Sequence, residues 1–216
     1  LGYIPFGSTN DCATTLKLPR KPREAALVAA GTGVPTPVDV GMLNDTAFVY
    51  VAAFGAFTKV AYDTPQDLKN TFGHLAYIFA GIASLPTIAP YHMTVEYDGQ
   101  ALEDDFYFGM VSNSQSIGGI KPPKVDRVVL DDGLFEVTLV KKPLSLADLT
   151  DGLQALVSLS PSDRSGALVQ FQARALTFTS DQSIPWTVDG EFGGSRPVNR
   201  VENRRKALNI IRGVQT

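Results

Sequence analysis

The sequence contains few of the residues that form disulfides and zinc clusters, and it has no long apolar stretch of the kind that spans a membrane. Its 216 residues include one cysteine, Cys12, and two histidines, His74 and His92. A single cysteine excludes an intramolecular disulfide and a cysteine-based zinc cluster, and it is typical of proteins in a reducing compartment. The apolar stretches end well short of the ~20 residues that a transmembrane helix needs. We therefore predict no membrane-spanning helix and little scope for a transition-metal site.

The sequence also lacks an excess of positive charge. Its 19 Lys and Arg residues stand against 22 Asp and Glu residues, which gives a formal net charge of −3. A chain without a basic field has no electrostatic means to hold a polyanion, so we expect no nucleic-acid partner. With 44% hydrophobic and 19% charged residues, the composition is that of an ordinary globular protein.

The beginning of the chain has α/β character. The pattern predicts a short strand at 3–6, a helix at 12–18 and a second helix at 23–30 that ends in a Gly-Thr-Gly sequence. Further along, amphipathic spacing predicts two longer helices at 65–85 and 145–159.

Strand and turn signals dominate the remainder. The predicted strands are 38–41, 47–53, 93–97, 101–103, 106–111, 134–140, 168–178, 186–188 and 208–211. An Asp-Gly pair at 98–99 predicts a tight hairpin between two of them. We infer an α/β segment at 1–35 followed by a β-rich domain at 36–216, with the last residues packing back on the first segment.

Three short acidic segments are candidate sites. GSTND at 7–11 joins a predicted strand to a helix; it can bind phosphate and Mg²⁺, or it is simply a capped helix start. LDDGL at 130–134 is either a tight turn or a hard-cation site. In VDGE at 188–191, Asp189 and Glu191 would share a face of an extended segment, where one acts as a base; a solvated acidic turn is the alternative.

Other residues have simpler interpretations. Cys12 is expected to be a small buried hydrophobe, and His74 and His92 are expected to be packed or surface residues. The basic run at 204–206 is read as a solvated turn or as a contact with anionic lipid headgroups. Four aromatic residues are candidates for the core or for a pocket wall that holds acyl chains: Phe54, Phe57, Tyr62 and Phe106.

Taken together and in order, these segments resemble the soluble bacterial diacylglycerol kinase and lipid kinase family. The matching segments are GYIPFGSTND at 2–11, PVDVG at 37–41, YDTP at 62–65, NS at 113–114, LDDGL at 130–134 and VDGE at 188–191. The resemblance implies a mainly β, α+β chain: a β-sandwich C-terminal domain of the NAD kinase and diacylglycerol kinase type, preceded by a remnant of the α/β nucleotide-binding domain. It also implies transfer of the γ-phosphate of ATP to a lipid hydroxyl.

The resemblance assigns roles on both sides of the transfer. Glu191 matches the family's general base and Asp189 supports it, while Asp11 lies near the phosphates and their Mg²⁺. The residues matching the family's ATP contacts are Gly7, Ser8 and Asn10, where Ser8 replaces the usual threonine and keeps its hydroxyl.

A structural Mg²⁺ site is implied as well. Its ligands would be the Asp132 carboxylate and the backbone carbonyls of Val129 and Leu134, and Asp39 would connect that ion through water to the active site. ATP and Mg²⁺ are thus the implied co-substrate and metal.

The family's GGDGT segment, which wraps the ATP phosphates, is absent from these residues. We therefore expect sequence before Leu1, and we expect these residues alone to be inactive, because phosphoryl transfer depends on phosphate positioning. The resemblance also implies a membrane lipid substrate, a cytoplasmic protein in peripheral contact with the inner membrane surface, and a possible homodimer. Two alternatives remain: a kinase of another lipid alcohol or of NAD, and a non-catalytic lipid-binding or regulatory module.

Overall fold

The computed structural model of the protein describes residues 1–6, 10–55, 89–114, 129–142, 166 and 168–213. Within these ranges, short helices α1 (Asp11–Thr15) and α2 (Pro22–Leu27) and a π-helical turn (Val28–Thr32) precede nine strands. The strands are β1 (Gly33–Leu43), β2 (Thr46–Phe48), β3 (Val51–Gly55), β4 (Tyr91–Tyr97), β5 (Gln100–Ser112), β6 (Phe135–Lys141), β7 (Leu168–Ala173), β8 (Ala175–Val188) and β9 (Glu191–Gly213). The predicted predominance of β-structure is confirmed.

All nine strands belong to one antiparallel sheet. Its order is β2-β1-β9-β8-β3-β5-β6-β7, and β4 pairs with both β5 and β8. Strands β3 and β4 lie on one line between β5 and β8, because Gly55 faces Phe108 and Tyr91 faces Phe106. Residues 56–90 are thus inserted into what would otherwise be a single strand.

The sheet folds over itself to enclose its core. Phe48 of β2 stacks on Phe135 of β6, with ring centroids 5.5 Å apart, although these strands lie towards opposite ends of the strand order. Trp186 packs against Phe54 and Phe178 with ring centroids 4.9 and 5.0 Å away. Each such side chain, fully buried, stabilises the fold by about 1.5–3 kcal/mol. This arrangement is the predicted sandwich-type core.

The proposed acyl-chain lining is wrong for the two aromatic residues that the structure describes. Phe54 and Phe106 are both fully buried and belong to the main core cluster. Their other interpretation, as core residues, is therefore correct. Phe57 and Tyr62 lie outside the described residues.

Two Asp-Gly turns close hairpins. Asp98 and Gly99 have φ angles of 45° and 77°, and they join β4 to β5 as predicted. Asp189 and Gly190 have φ angles of 49° and 94°, and they join β8 to β9. Positive φ at both central residues suits the twist of antiparallel strands.

Several predicted elements differ from the structure. Residues 3–6 form no strand; in the described part of the chain, Leu1 instead makes backbone hydrogen bonds to β9, and Pro5 has no N–H to offer. The predicted strand at 47–53 is broken at Val49 and Tyr50, and 168–178 is broken at Arg174. The helices predicted at 65–85 and 145–159 lie outside the described residues.

Candidate functional site

The Asp189 turn is fixed to the connection between β2 and β3. Its carboxylate accepts hydrogen bonds from three consecutive amides: Val49 N to Oδ2 at 2.8 Å, and Tyr50 N and Val51 N to Oδ1, both at 2.9 Å. The Asp189 amide in turn donates to the Val51 carbonyl at 2.8 Å. Hydrogen bonds to a carboxylate are stronger than those between neutral groups. This interaction accounts for the break between β2 and β3, because the amides turn towards the carboxylate.

Tyr50 links this turn to the beginning of the chain. Its hydroxyl donates to Asp11 Oδ2 at 3.0 Å, and Asp11 is the buried first residue of α1. Its carbonyl accepts from the Asn113 amide at 3.2 Å. This role could not be predicted from the sequence, because Tyr50 lies inside an apolar run that is typical of a continuous strand.

Helix α1 is held against the sheet by polar contacts at its other end. The hydroxyls of Thr15 and Ser114 share a buried hydrogen bond of 2.8 Å. Arg212, near the end of β9, donates from Nε to the Leu16 carbonyl at 2.7 Å. The position of Asp11 relative to the sheet is therefore fixed from both ends of the helix.

Asp39 is a fully buried carboxylate of β1. It accepts hydrogen bonds from Gly133 N at 2.6 Å and from Lys206 N at 2.7 Å. Lys206 has a φ of 54° and lies where the pairing of β1 with β9 shifts register. The Asp39 amide donates to the Leu130 carbonyl at 2.7 Å. Asp39 thus joins β1, the bulge of β9 and the 130–134 turn.

The 130–134 turn fits the donor chemistry of a hard cation. Leu134 N donates to Asp132 Oδ1 at 2.9 Å, and among the described residues Asp132 Oδ2 has no donor. Asn203 Nδ2 donates to the Leu134 carbonyl at 3.3 Å, while its own buried Oδ1 lacks a partner in the described part. Val129 is 48% exposed. Carboxylate and carbonyl oxygens are the ligands that Mg²⁺ and Ca²⁺ prefer.

This donor set depends on backbone carbonyls. Across the described ranges, no group of three or more His, Cys, Asp and Glu side chains is arranged to hold a metal ion. The assignment of Val129, Asp132 and Leu134 as ligands stays a prediction.

Asn113 joins the two halves of the network. Its Nδ2 donates to the carbonyls of Asp39 and Leu130, each at 3.3 Å. Its backbone N–H donates to the carbonyl of Tyr50. Asn113 Oδ1 is buried without a partner among the described residues, and Asn113 lines a cavity with room for about one water molecule. The structure therefore connects Asp11, Asp189, Asp39 and the 130–134 turn through one set of hydrogen bonds.

Glu191 is the first residue of β9, opposite Val188, and its side chain is exposed. Its carboxylate makes no hydrogen bond or ion pair with any other described residue. The prediction that Asp189 and Glu191 share a face of an extended segment is wrong, because Asp189 occupies a left-handed turn position. The alternative prediction of an acidic turn describes the local geometry correctly.

The predicted ATP contacts are only partly described. Gly7 and Ser8 lie outside the described residues. Asn10 has a φ of 54°, and its carbonyl accepts from Thr14 N at 2.9 Å and from Thr14 Oγ1 at 3.1 Å. Its side chain does not cap α1, and Asn10 Oδ1 has no partner within the described part of the chain. The simple helix-cap interpretation is therefore wrong for Asn10.

The basic run at 204–206 forms part of β9 and not a solvated turn. Arg204 pairs with Glu202 at 2.8 Å, and Lys206 Nζ pairs with Asp131 Oδ2 at 3.2 Å. Arg205 Nε donates to the Asp131 carbonyl at 3.1 Å. The alternative, a contact with anionic lipid headgroups, stays a prediction.

Cys12 is partly buried beside the two catalytic candidates of this network. Burial, followed by the negative charges of Asp189 and Asp11, raises the pKa of the Cys12 thiol to about 11. The ordinary value is 9.0, so at neutral pH its thiolate fraction is about 100-fold lower. We expect a disulfide reagent to react with the native chain at least about 10-fold more slowly than with the same chain unfolded in urea, because the greater nucleophilicity of a thiolate with a higher pKa offsets about half of the effect of its lower fraction. Equal rates in the two states would contradict this environment.

His92 was predicted to be either a packed or a surface residue, and it is a surface residue. Its ring contacts two carboxylates. Its Nδ1 lies 2.9 Å from Asp105 Oδ1 and its Nε2 lies 3.3 Å from Glu103 Oε1. The hydrogen bond to Asp105 is the main cause that raises the pKa of His92 above 6.5. Desolvation opposes it, and the hydrogen bond to Glu103 and the charges of both carboxylates add to it. His74 lies outside the described residues.

This pKa shift has a defined sign for stability. Because the folded-state pKa is raised, the contribution of the His92 pairs is complete below pH 6.5 and is lost as the pH rises through the folded-state value. NMR titration should give a midpoint above 6.5 for His92, and Asp105→Asn should lower it. A midpoint at or below 6.5 in the unmodified chain would contradict the pairing.

None of the helices in the described part of the chain is both long and apolar enough to cross a membrane.

The family model of the YegS C-terminal NAD kinase beta sandwich-like domain matches residues 51–212. A diacylglycerol kinase of Bacillus subtilis (strain 168) is 32% identical over 200 residues, which are 91% of this chain and 64% of that protein. A diacylglycerol kinase of Staphylococcus aureus (strain JH9) is 32% identical over 199 residues, 92% of this chain and 62% of that protein. The chain thus spans less than two thirds of the length of these relatives.

Solved structures share the fold. One crystal structure from Bacillus anthracis str. Sterne has a TM-score of 0.75 at 23% identity and covers 97% of this chain and 67% of its own. Another from the same organism, of a diacylglycerol kinase, has a TM-score of 0.68 at 22% identity and covers 97% of this chain and 65% of its own. These structures confirm the fold, and the family model together with the two curated relatives confirms the resemblance seen in the sequence. The chain therefore belongs to the family of YegS C-terminal NAD kinase beta sandwich-like domains.

Proposed function

We propose that the protein containing this domain is an ATP-dependent lipid kinase that converts diacylglycerol to phosphatidic acid. The observation that carries the proposal is the fixed acidic turn: three amide hydrogen bonds hold Asp189, and Tyr50 joins that turn to Asp11. The names of the two curated relatives, both diacylglycerol kinases, support the choice of reaction and acceptor.

Glu191 is proposed as the general base. Its carboxylate accepts the proton of the lipid hydroxyl as the hydroxyl oxygen attacks the γ-phosphorus of ATP, and the bond from that phosphorus to the bridging oxygen breaks to release ADP. An exposed carboxylate unpaired within the described residues suits a base that must meet an incoming substrate. Asp189, held by its three amides, fixes the backbone from which Glu191 projects.

The phosphate-donor side is proposed to lie at the beginning of the chain. Gly7, Ser8 and Asn10 would contact ATP, and Asp11 would lie near its phosphates. Phosphoryl transfer depends mainly on positioning and on neutralising phosphate charge. Asp11 meets the first requirement, because Tyr50 and the packing of α1 fix its place.

Mg²⁺ is proposed at the 130–134 turn, held by Asp132 and by the carbonyls of Val129 and Leu134. The ion would have a structural role in this turn, and Asp39 would connect it through water to the active site. Asp39 positions this turn through Gly133 and connects it, through Asn113, to Tyr50. The hydrogen-bonded path gives the metal turn a defined place relative to the transfer site.

The proposed acceptor determines where in the cell the reaction would take place. Because diacylglycerol resides in membranes, we propose that this cytoplasmic protein meets it by peripheral contact with the inner membrane surface. A homodimer stays a prediction that no observation on this chain bears on.

An acceptor panel tests the proposal. The protein expressed from its full gene is incubated with γ-labelled ATP, Mg²⁺ and either diacylglycerol, a sphingoid base or NAD, and kcat/KM is compared. We expect diacylglycerol to be the best acceptor and the 216-residue chain alone to be inactive. A higher kcat/KM for the sphingoid base or for NAD would show that diacylglycerol is not the preferred acceptor. No transfer to any of the three would overturn the kinase assignment.

A further inference from the structure

Tyr50 contacts the site through three separate groups. Its amide donates to Asp189 Oδ1 at 2.9 Å, its carbonyl accepts from Asn113 N at 3.2 Å, and its hydroxyl donates to Asp11 Oδ2 at 3.0 Å. The backbone of Tyr50 is therefore fixed on both sides. Because the backbone is fixed, the reach of the side chain determines where the Asp11 carboxylate is held.

The two carboxylates that Tyr50 joins belong to different parts of the chain. Asp11 begins α1 and Asp189 lies in the β8–β9 turn, yet the charges of both raise the pKa of Cys12. The phenol of Tyr50 donates to the Asp11 carboxylate and its backbone N–H donates to the Asp189 carboxylate, so one residue links the two.

We propose that Tyr50 is a positioning residue that sets the distance between Asp11 and the Asp189–Glu191 turn, and so aligns the phosphate donor with the acceptor hydroxyl. This inference rests on the proposed kinase function, in which Asp11 serves the ATP side and Glu191 the lipid side. Alignment matters because a displacement of about 1 Å can lower a rate by about 100-fold. Tyr50 itself touches neither reactant.

Tyr50→Phe separates this role from a structural one. The variant keeps the ring and both backbone hydrogen bonds and removes only the hydroxyl. We expect kcat to fall by about 10- to 100-fold while KM for ATP and for diacylglycerol stays within about twofold. Tyr97→Phe is the matched control, because Tyr97 stacks on Phe171 away from the site and its variant should retain normal kcat.

A double-mutant cycle with Asp11→Ala, which removes the acceptor of the Tyr50 hydroxyl, shows whether Tyr50 acts through Asp11. If it does, Tyr50→Phe lowers kcat in the unmodified protein and has little further effect in the Asp11→Ala background. Effects on kcat that multiply independently would overturn the inference. The same cycle measured by thermal unfolding of the 216-residue chain should show non-additive Tm shifts, and additive Tm shifts would deny that the contact forms.

The outcomes separate this inference from the proposed function. An active wild type with a Tyr50→Phe variant as active as Tyr97→Phe overturns the positioning role and leaves the kinase assignment standing. A rise in KM for ATP or diacylglycerol without a fall in kcat also overturns the positioning role. A wild type that phosphorylates no acceptor overturns the proposed function, and the positioning role fails with it.

Discussion

Replacing Glu191 with Gln is expected to lower the kcat of the kinase by about a thousandfold, in the range typical of removing a general base. The amide keeps the size and polarity of the side chain but cannot take the proton of the lipid hydroxyl. Because the carboxylate of Glu191 is exposed and makes no hydrogen bond or ion pair with the rest of the described structure, the loss should leave the fold intact. Initial rates of phosphate transfer to diacylglycerol measure the effect, and Tm checks the fold.

Glu202→Gln provides the matched control for this substitution. Glu202 lies on the same strand, is also exposed, and pairs only with Arg204 among the described residues. Exposed ion pairs contribute about 0–1 kcal/mol, so both rate and Tm should stay near the values of the unmodified protein. Near-normal turnover in Glu191→Gln would remove Glu191 from the mechanism.

Replacing Asp39 with Ala is expected to lower Tm by about 10 °C. The substitution leaves one buried and one partly buried N–H, those of Gly133 and Lys206, without their acceptor. Each lost bond to a charged group costs about 1.5–3 kcal/mol, so the two together are expected to cost about 3–6 kcal/mol. For a chain of this size, each kcal/mol shifts Tm by about 2–4 °C. Thermal unfolding followed by circular dichroism measures the shift.

Asp45→Ala is the control, because it removes an exposed carboxylate that contributes little to stability. Asp45 is 86% exposed in its side chain and pairs with Arg196 at 3.2 Å. Its removal should change Tm by no more than about 3 °C. If Asp39→Ala unfolded at the same temperature as Asp45→Ala, the hydrogen bonds of Asp39 would not hold the 130–134 turn to β1 and β9.

Local chemistry made the turns predictable. Asp98 and Gly99 adopt the positive φ angles that a two-residue hairpin needs, and the acidic turn at Asp189 and Gly190 does the same. Although α1 begins without a side-chain cap from Asn10, helix α2 was predictable in kind, because residues 23–30 are rich in strong helix formers. Such features depend on neighbours in the sequence.

Features that depend on distant residues were not predictable. The strand expected at 47–53 breaks because Asp189, 138 to 140 residues away, draws three amides to its carboxylate. Tyr50 was missed for the same reason. Strand β9 was expected only at 208–211, because glycines, a proline and many charged residues conceal its full length, Glu191–Gly213.

The candidate site combines both cases. Asp11, Asp39, Asp132, Asp189 and Glu191 were selected from short motifs and the family they resemble. What joins them is tertiary: the phenol of Tyr50 and the amide of Asn113 supply the links, and neither side chain forms part of an acidic motif. The sequence therefore indicated the acidic groups, whereas their connection required the fold.

The measurement that tests the central claim most directly is transfer of label from γ-labelled ATP to diacylglycerol in anionic mixed micelles with Mg²⁺. The protein is expressed from its full gene and compared with its Glu191→Gln variant. We expect labelled phosphatidic acid to accumulate in proportion to the unmodified protein and to fall by about a thousandfold in the variant. A folded protein that forms no labelled lipid, or a variant as active as the unmodified protein, would contradict the account.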